Sequence, residues 1–421
     1  MAPELLVLSG DPAALAAELR ALVPDPGSVR DVVAEIIAGV RAGGDAALRD
    51  YTRSFDTSGR EPLALVVADE DLDAALSKLA RDVRDGLERA VENVGRVAQA
   101  GLADDRVVAL DGYEVALRGV PVERAAVYVP GGRAPYPSTV IMGVVTARVA
   151  EVDDVAVCAP PGVNGDIHPV ILAACRLAGA SVVYRMGGAQ AIAALAFGTE
   201  SVAPVDVIVG PGNLYVQEAK LQVLGRVGID GFAGPSDLVV IADGAADPKL
   251  VALDLLAQGE HGPGTLVVGV SDAPELLGAV NAEMAEWPDT GAIRRLVAVE
   301  DLDRALALAE AFAPEHLELL GSEAEALAPR VSRAGCLFVG AAGACAFGDY
   351  IAGSNHVLPT GGAARFASAL APGHFRRRFS EVRIGGAAEA LARAAAPVAR
   401  AEGFELHARS MEARVRQNGS P

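Results

Sequence analysis

The sequence predicts an α/β fold: two parallel sheets, each covered by helices, with a helical region in front and a helical extension behind. Three observations carry this. Short runs rich in Val and Ile, apolar on both faces, alternate with helical segments from about residue 126 to 235. The same alternation starts again at about 237 and runs to 341, so there are two such layers. A chain of 421 residues with 51% hydrophobic and 22% charged content is globular and long enough for more than one core.

Residues 28–50 and 69–100 carry helical spacing, as in Val32, Val33, Ile36, Ile37 and Val40. "RVVALDGYEVALRG" then reads as two extended runs around Asp111-Gly112, a hairpin turn signal. In the first layer the strands are "AAVYVP", "DVAVCAP", "SVVYRM" and "VDVIVG". The helices are "STVIMGVVTARVA", "HPVILAACRLAG", "AQAIAALAF" and "LYVQEAKLQVLG". In the second layer the strands are "LVVIAD", "TLVVGV", "RLVAVE", "HLELLG" and "CLFVG", each followed or preceded by a helical stretch. "DPKLVALDLLAQG" is one of those helices, with Asp247 as its cap and Pro248 in its first turn. These textures divide the chain into residues 1–125 with 237–370, residues 126–236, and a tail at 371–421. The tail lacks the apolar content to fold alone and is expected to dock, on its own subunit or on a neighbour's.

The net charge of −19 argues against nucleic acid and against an anionic membrane surface, because both need a basic face. Arg376-Arg377-Arg378 is too short to change that. No apolar run is long enough to span a bilayer, and "MAPELLVLSGDP" lacks the charged start of a signal peptide. Cys158, Cys175, Cys336 and Cys345 form no C-x-x-C pair, which suits a reduced, cytoplasmic protein.

Three strand-to-helix junctions of the first layer are glycine-rich: "YVPGGRAPYP", "RMGGAQAIAA" and "VGPGNLYV". Any one of them alone is more simply a tight turn. Three on consecutive strand ends point to a nucleotide, since helix N-termini there present N–H groups to a pyrophosphate. Tyr128, Gln190 and Asn213 are the side chains in these loops able to stack on or hydrogen-bond a base or ribose.

There are six histidines. His168 and His374 read as surface residues. The other four have acidic or amide company: His261 after Gln258 and Glu260, His316 after Glu315, His356 after Asp349, and His407 after Glu402. Gln258 and His261 at i and i+3 share a helix face and suit a metal ion, with Asp349 and His407 as distant donors. Glu315 and His316 at a strand start suit acid–base work on an alcohol.

At these residues the chain resembles the histidinol dehydrogenase family. The strings that carry the resemblance include "VYVPGGRAPYPS", "MGGAQAIAALAFGT", "VGPGNLYVQEAK", "LAQGEHGP", "APEHLEL", "GDYIAGSNHVLPTGG" and "AEGFELHARS". They occur in the family's order and cover roughly residues 28 to 412. The resemblance implies two Rossmann-like domains with a C-terminal extension in an intertwined homodimer. It implies oxidation of L-histidinol to L-histidine through L-histidinaldehyde, with NAD and one zinc ion per subunit. Carried over by position, Gln258, His261, Asp349 and His407 are metal ligands, and Tyr128, Gln190 and Asn213 contact NAD. Ser236, His356 and Glu402 fall at substrate positions beside the metal ligands and His316, and Glu315 and His316 are the acid–base residues. His407 and Glu402 would serve the partner subunit's site. The chain departs from the family pattern at Gly259, where Ala is usual, and in "GAAGACAFGDY", which lacks Thr-Pro-Glu before Gly-Asp-Tyr. The competing readings are a relative oxidising another polar amino alcohol or diol, a non-catalytic metal or nucleotide binder, and an aldehyde dehydrogenase using Cys345 as nucleophile.

Overall fold

The computed structural model of the chain describes residues 3–23, 26–131, 134–231 and 234–415. These form two compact units: residues 1–101 with 122–375, and residues 102–121 with 376–421. Elements are numbered in chain order.

The first unit begins with β1 (Glu4–Val7), α1 (Pro12–Arg20), α2 (Arg30–Phe55), α3 (Asp69–Ser77) and α4 (Arg81–Gly101). Of the apolar stripe expected at Val32, Val33, Ile36, Ile37 and Val40, the last four form the buried face of α2, while Val32 turns to solvent, 51% exposed. That helix is interrupted at Gly44, where φ is +53°.

The first sheet is built from β4 (Arg124–Tyr128), β5 (Asp154–Ala159), β6 (Val182–Arg185), β7 (Val207–Val209) and β8 (Gly228–Ile229). Its order is β6-β5-β4-β7-β8, and every pair is parallel. Helices α5 (Pro137–Val149), α6 (Pro169–Ala178), α7 (Gly188–Phe197) and α8 (Leu214–Val223) make the crossovers. In chain terms this is the 3-2-1-4-5 order of a dinucleotide-binding sheet, with its reversal between β4 and β7.

The second sheet contains β9 (Asp237–Ala242), β10 (Leu266–Ser271), β11 (Ile293–Ala298), β12 (His316–Leu320) and β13 (Cys336–Val339). Its order is β1-β11-β10-β9-β12-β13, so the same 3-2-1-4-5 order recurs with β1 added at one edge. Pairing of β1 with β11 was not legible, because β1 is exposed along most of its length and shows no buried pattern. Helices α9 (Pro248–Gly259), α10 (Pro274–Ala285), α11 (Leu302–Phe312) and α12 (Ser322–Glu325) connect the strands, and α13 (Cys345–Tyr350) follows β13. Asp247 caps α9 by accepting a hydrogen bond from the Lys249 amide at 2.9 Å, with Pro248 in the first turn. The inner strands are buried residue by residue, which is why they read as continuous apolar runs.

The second unit holds the expected hairpin, β2 (Arg106–Leu110) and β3 (Tyr113–Pro121), turning at Gly112 with φ +80°. β14 (Arg376–Arg383) pairs antiparallel with β3 over eight residues, and α14 (Ala388–Ala401) and α15 (Glu405–Val415) follow. The basic run opens this strand. The pairing groups the hairpin with the C-terminal extension, where texture alone had placed it with the N-terminal helices. Among the described residues no helix is long and apolar enough to cross a membrane.

Candidate active site

The two sheets of the first unit present candidate residues at opposite ends. In the first sheet they lie at the carboxyl ends, flanking the reversal between β4 and β7. Tyr128 ends β4 and is 3% exposed, and its hydroxyl accepts a hydrogen bond from the Gly188 amide at 3.1 Å. Gln190, in the first turn of α7, is also buried, and its Nε2 donates to Asp56 Oδ2 at 3.3 Å. Asn213 caps α8, its side-chain oxygen accepting from the amides of Tyr215 at 3.1 Å and Val216 at 3.2 Å. That leaves the exposed Asn213 NH2 as its donor toward a ligand. Tyr128 and Gln190 therefore sit under the loop rather than open on it. Burial pushes the Asp56 carboxyl up to about 7, with Gln190 pulling it back.

In the second sheet the candidates gather at the amino edge. β9 and β12 are neighbours, and His316 pairs in register with Leu238. Ser236 directly precedes β9, and its carbonyl accepts from the Leu266 amide at 3.1 Å. Glu315 directly precedes β12. Glu315 and Asp237 lock the two strand starts together: the Asp237 amide donates to Glu315 Oε2 at 3.0 Å, and the Glu315 amide to Asp237 Oδ1 at 2.7 Å. Arg20 of α1 adds a guanidinium 2.5 Å from Asp237 Oδ2 and donates to the carbonyls of Phe312 and Ala313. Ala313 has φ +51°, an uncommon conformation for a residue with a Cβ, and Arg20 holds the turn that delivers Glu315.

His316 is the hub. Its Nδ1 lies 3.8 Å from Glu315 Oε2 and 3.5 Å from Gln258 Nε2, and its Nε2 lies 3.4 Å from Asp349 Oδ1. Gln258 arrives in the last turn of α9, and Asp349 on α13. Burial disfavours the imidazolium, but Glu315 and Asp349 outweigh it and raise His316 to about 9. Burial raises Glu315 to about 7, against the pull of His316. Burial likewise opposes ionisation of Asp349, yet His316 keeps it below its usual range. His261 is lowered by desolvation, partly offset by Asp349. His356 has both ring nitrogens engaged, Nδ1 2.8 Å from the Asp349 carbonyl and Nε2 3.1 Å from Thr139 Oγ1.

Gln258, His261 and Asp349 are the candidate metal donors in this unit. Gln258 is 1% exposed, and the described partner of its Oε1 is the Cys345 thiol at 4.0 Å. A thiol is a weak donor for a buried amide oxygen, so a cation would satisfy that atom better. Oxygen and imidazole donors with one carboxylate suit a borderline divalent ion. Among the described residues no three His, Cys, Asp or Glu side chains converge into a ready-made cage, so the set is open. Glu402 and His407 belong to the second unit. There Glu402 caps α14 and His407 lies on α15, its ring 5.1 Å from that of Phe404, and both are exposed.

A family model described as histidinol dehydrogenase matches residues 23–415. The chain belongs to the histidinol dehydrogenase family. The histidinol dehydrogenase of Parasynechococcus marenigrum is 45% identical over 393 residues, 90% of each chain. That of Natronomonas pharaonis is 43% identical over 400 residues, covering 91% of this chain and 93% of its own. The crystal structure of histidinol dehydrogenase from Elizabethkingia anophelis superimposes with a TM-score of 0.91 at 28% identity, covering 100% of this chain and 99% of that one. The protein is thus an oxidoreductase with the histidinol dehydrogenase architecture.

Sequence reasoning missed Asp237, Arg20, Asp56 and Thr139. Asp237 had a signal, since it follows Ser236 and opens a strand. Arg20 had none: it is 217 residues from Asp237, and only the packing of α1 brings it there. Burial raises the Cys345 thiol, and the side chain is 1% exposed, which weighs against a thiolate nucleophile.

Proposed function

We propose that this enzyme oxidises L-histidinol to L-histidine through L-histidinaldehyde, passing two hydrides to two NAD. The observation that carries the proposal is the meeting of Glu315, His316, Gln258 and Asp349 at one sheet edge, from three separate segments, in a chain of this family. His316 takes the hydroxyl proton in the first oxidation as the neutral imidazole, the form that a cation held by Gln258, His261 and Asp349 would favour over the imidazolium. Glu315, raised into the neutral range, takes a proton from the water that adds to the aldehyde in the second. Gln258, His261 and Asp349, with His407 of the partner subunit, would hold one zinc ion. Bound there, zinc supplies a positive template that orients the imidazole and amine of the substrate. Ser236 and His356, with Glu402 of the partner subunit, line the substrate. Tyr128, Gln190 and Asn213 frame the nucleotide crevice.

In this reading residues 126–236 form the nucleotide domain, and residues 1–125 with 237–370 the domain of the metal and substrate. Residues 371–421 dock on the second copy of a homodimer. Four free thiols suit a cytoplasmic enzyme. The unusual "GAAGACAF" run just before Asp349 supports one alternative, a relative acting on another polar amino alcohol or diol. The deciding measurement is NADH formed per L-histidinol by the purified protein, with and without a chelator. Two NADH, lost with chelator and restored by zinc, is the expected result. No turnover by a protein that binds zinc and NAD would move the substrate to another alcohol.

A further inference from the structure

The carboxyl end of β7 is held by a buried ion pair that none of the roles above uses. Lys220, in the last turn of α8, and Asp230, just past β8, have side chains 1% and 6% exposed and pair directly. Both also hold the backbone of Gly210. Lys220 Nζ donates to the Gly210 carbonyl at 3.0 Å, and Asp230 Oδ2 accepts from the Gly210 amide at 2.6 Å. Gly210 needs holding. Its φ is +113°, and a Cβ there would lie 2.1 Å from the Tyr128 carbonyl oxygen. This lies at the β4–β7 reversal, and three residues later Asn213 caps α8. β8 is only two residues long, and its pairing with β7 sets Asp230 beside Gly210.

A buried ion pair is weak evidence for stability, because an apolar pair of similar volume often packs as stably. What this pair does that an apolar one cannot is fix the peptide groups on both sides of Gly210. We propose that Lys220 and Asp230 are positioning residues that clamp the 210–213 loop in its cofactor-binding shape. The inference rests on the proposal that this crevice takes NAD.

The test uses the full-length double variant Lys220→Met with Asp230→Asn. It leaves no buried charge, keeps an acceptor for the Gly210 amide, and removes the donor to its carbonyl. Hydrogen exchange is read on the peptide spanning residues 206–216 without ligand, alongside NAD affinity and steady-state kinetics. Exchange at the 210, 212 and 213 amides should speed up at least tenfold. The Kd and KM for NAD should rise at least tenfold, with kcat at saturating NAD within threefold and the thermal midpoint within a few degrees. Unchanged exchange, or unchanged NAD affinity in a wild type that binds NAD, overturns the clamp. A wild type that binds no NAD defeats the cofactor reading, and the exchange data still decide the clamp. If the double variant does not fold, Lys220→Met alone, which removes the donor to the Gly210 carbonyl, is judged by the same criteria.

Discussion

Glu318 makes the stability of this enzyme depend on pH. It lies on β12 two residues beyond His316, is 0% exposed, and its carboxyl faces that of Asp254. Burial raises it to about 9, and Asp254, one turn before Gln258 on α9, adds to the shift. Asp254 is itself raised by burial. In the unfolded chain Glu318 returns to an ordinary value near 4.5. Between those limits the native state holds a proton that the unfolded state has lost, so stability falls as pH rises. One such proton gives a slope of about 1.4 kcal/mol per pH unit. From pH 6 to pH 8 the loss is roughly 3 kcal/mol, or about 3 °C of thermal midpoint for a chain of this size. Glu318→Gln keeps the shape without the titration, so most of that slope should vanish. The assay is the thermal midpoint of both proteins at pH 6, 7 and 8 at constant ionic strength. Parallel pH dependence in the two proteins would refute the argument.

Other substitutions probe the site itself. His316→Asn should lower kcat for the alcohol step by about 10²–10⁴-fold, with NAD binding intact, and steady-state turnover of L-histidinol measures it. Glu315→Gln should slow oxidation of L-histidinaldehyde more than that of L-histidinol, and comparing the two substrates checks this. Cys345→Ser should leave turnover within threefold, and complete loss would revive a covalent thiol mechanism. Gly259→Ala should stabilise the enzyme by about 0.5–1 kcal/mol without changing activity. The new Cβ would meet only ordinary contacts with Thr290 and Ala292, at 3.5 and 3.6 Å, and urea unfolding reads the gain.

The sequence alone determined the layered architecture, because a strand buried on both faces must be apolar at every position. β9 and β12 announce themselves in this way, as do the capped start of α9 and the turn at Asp111-Gly112. It also singled out Gln258, Glu315, His316 and Asp349, since ligand-type and titratable residues crowd at element ends. It could not say that these four meet. Residues 258 and 316 lie 58 positions apart, and only the adjacency of β9 and β12 sets their side chains 3.5 Å from each other. Nor could it show the supports. Arg20, Asp237, Lys220 and Asp230 look like ordinary charges in a chain that is 22% charged. Their work depends on burial, and burial follows from which helix packs on which strand. Protonation belongs to the tertiary structure for the same reason: desolvation and neighbouring charge, rather than residue type, raise Glu315, His316 and Glu318 out of their ordinary ranges.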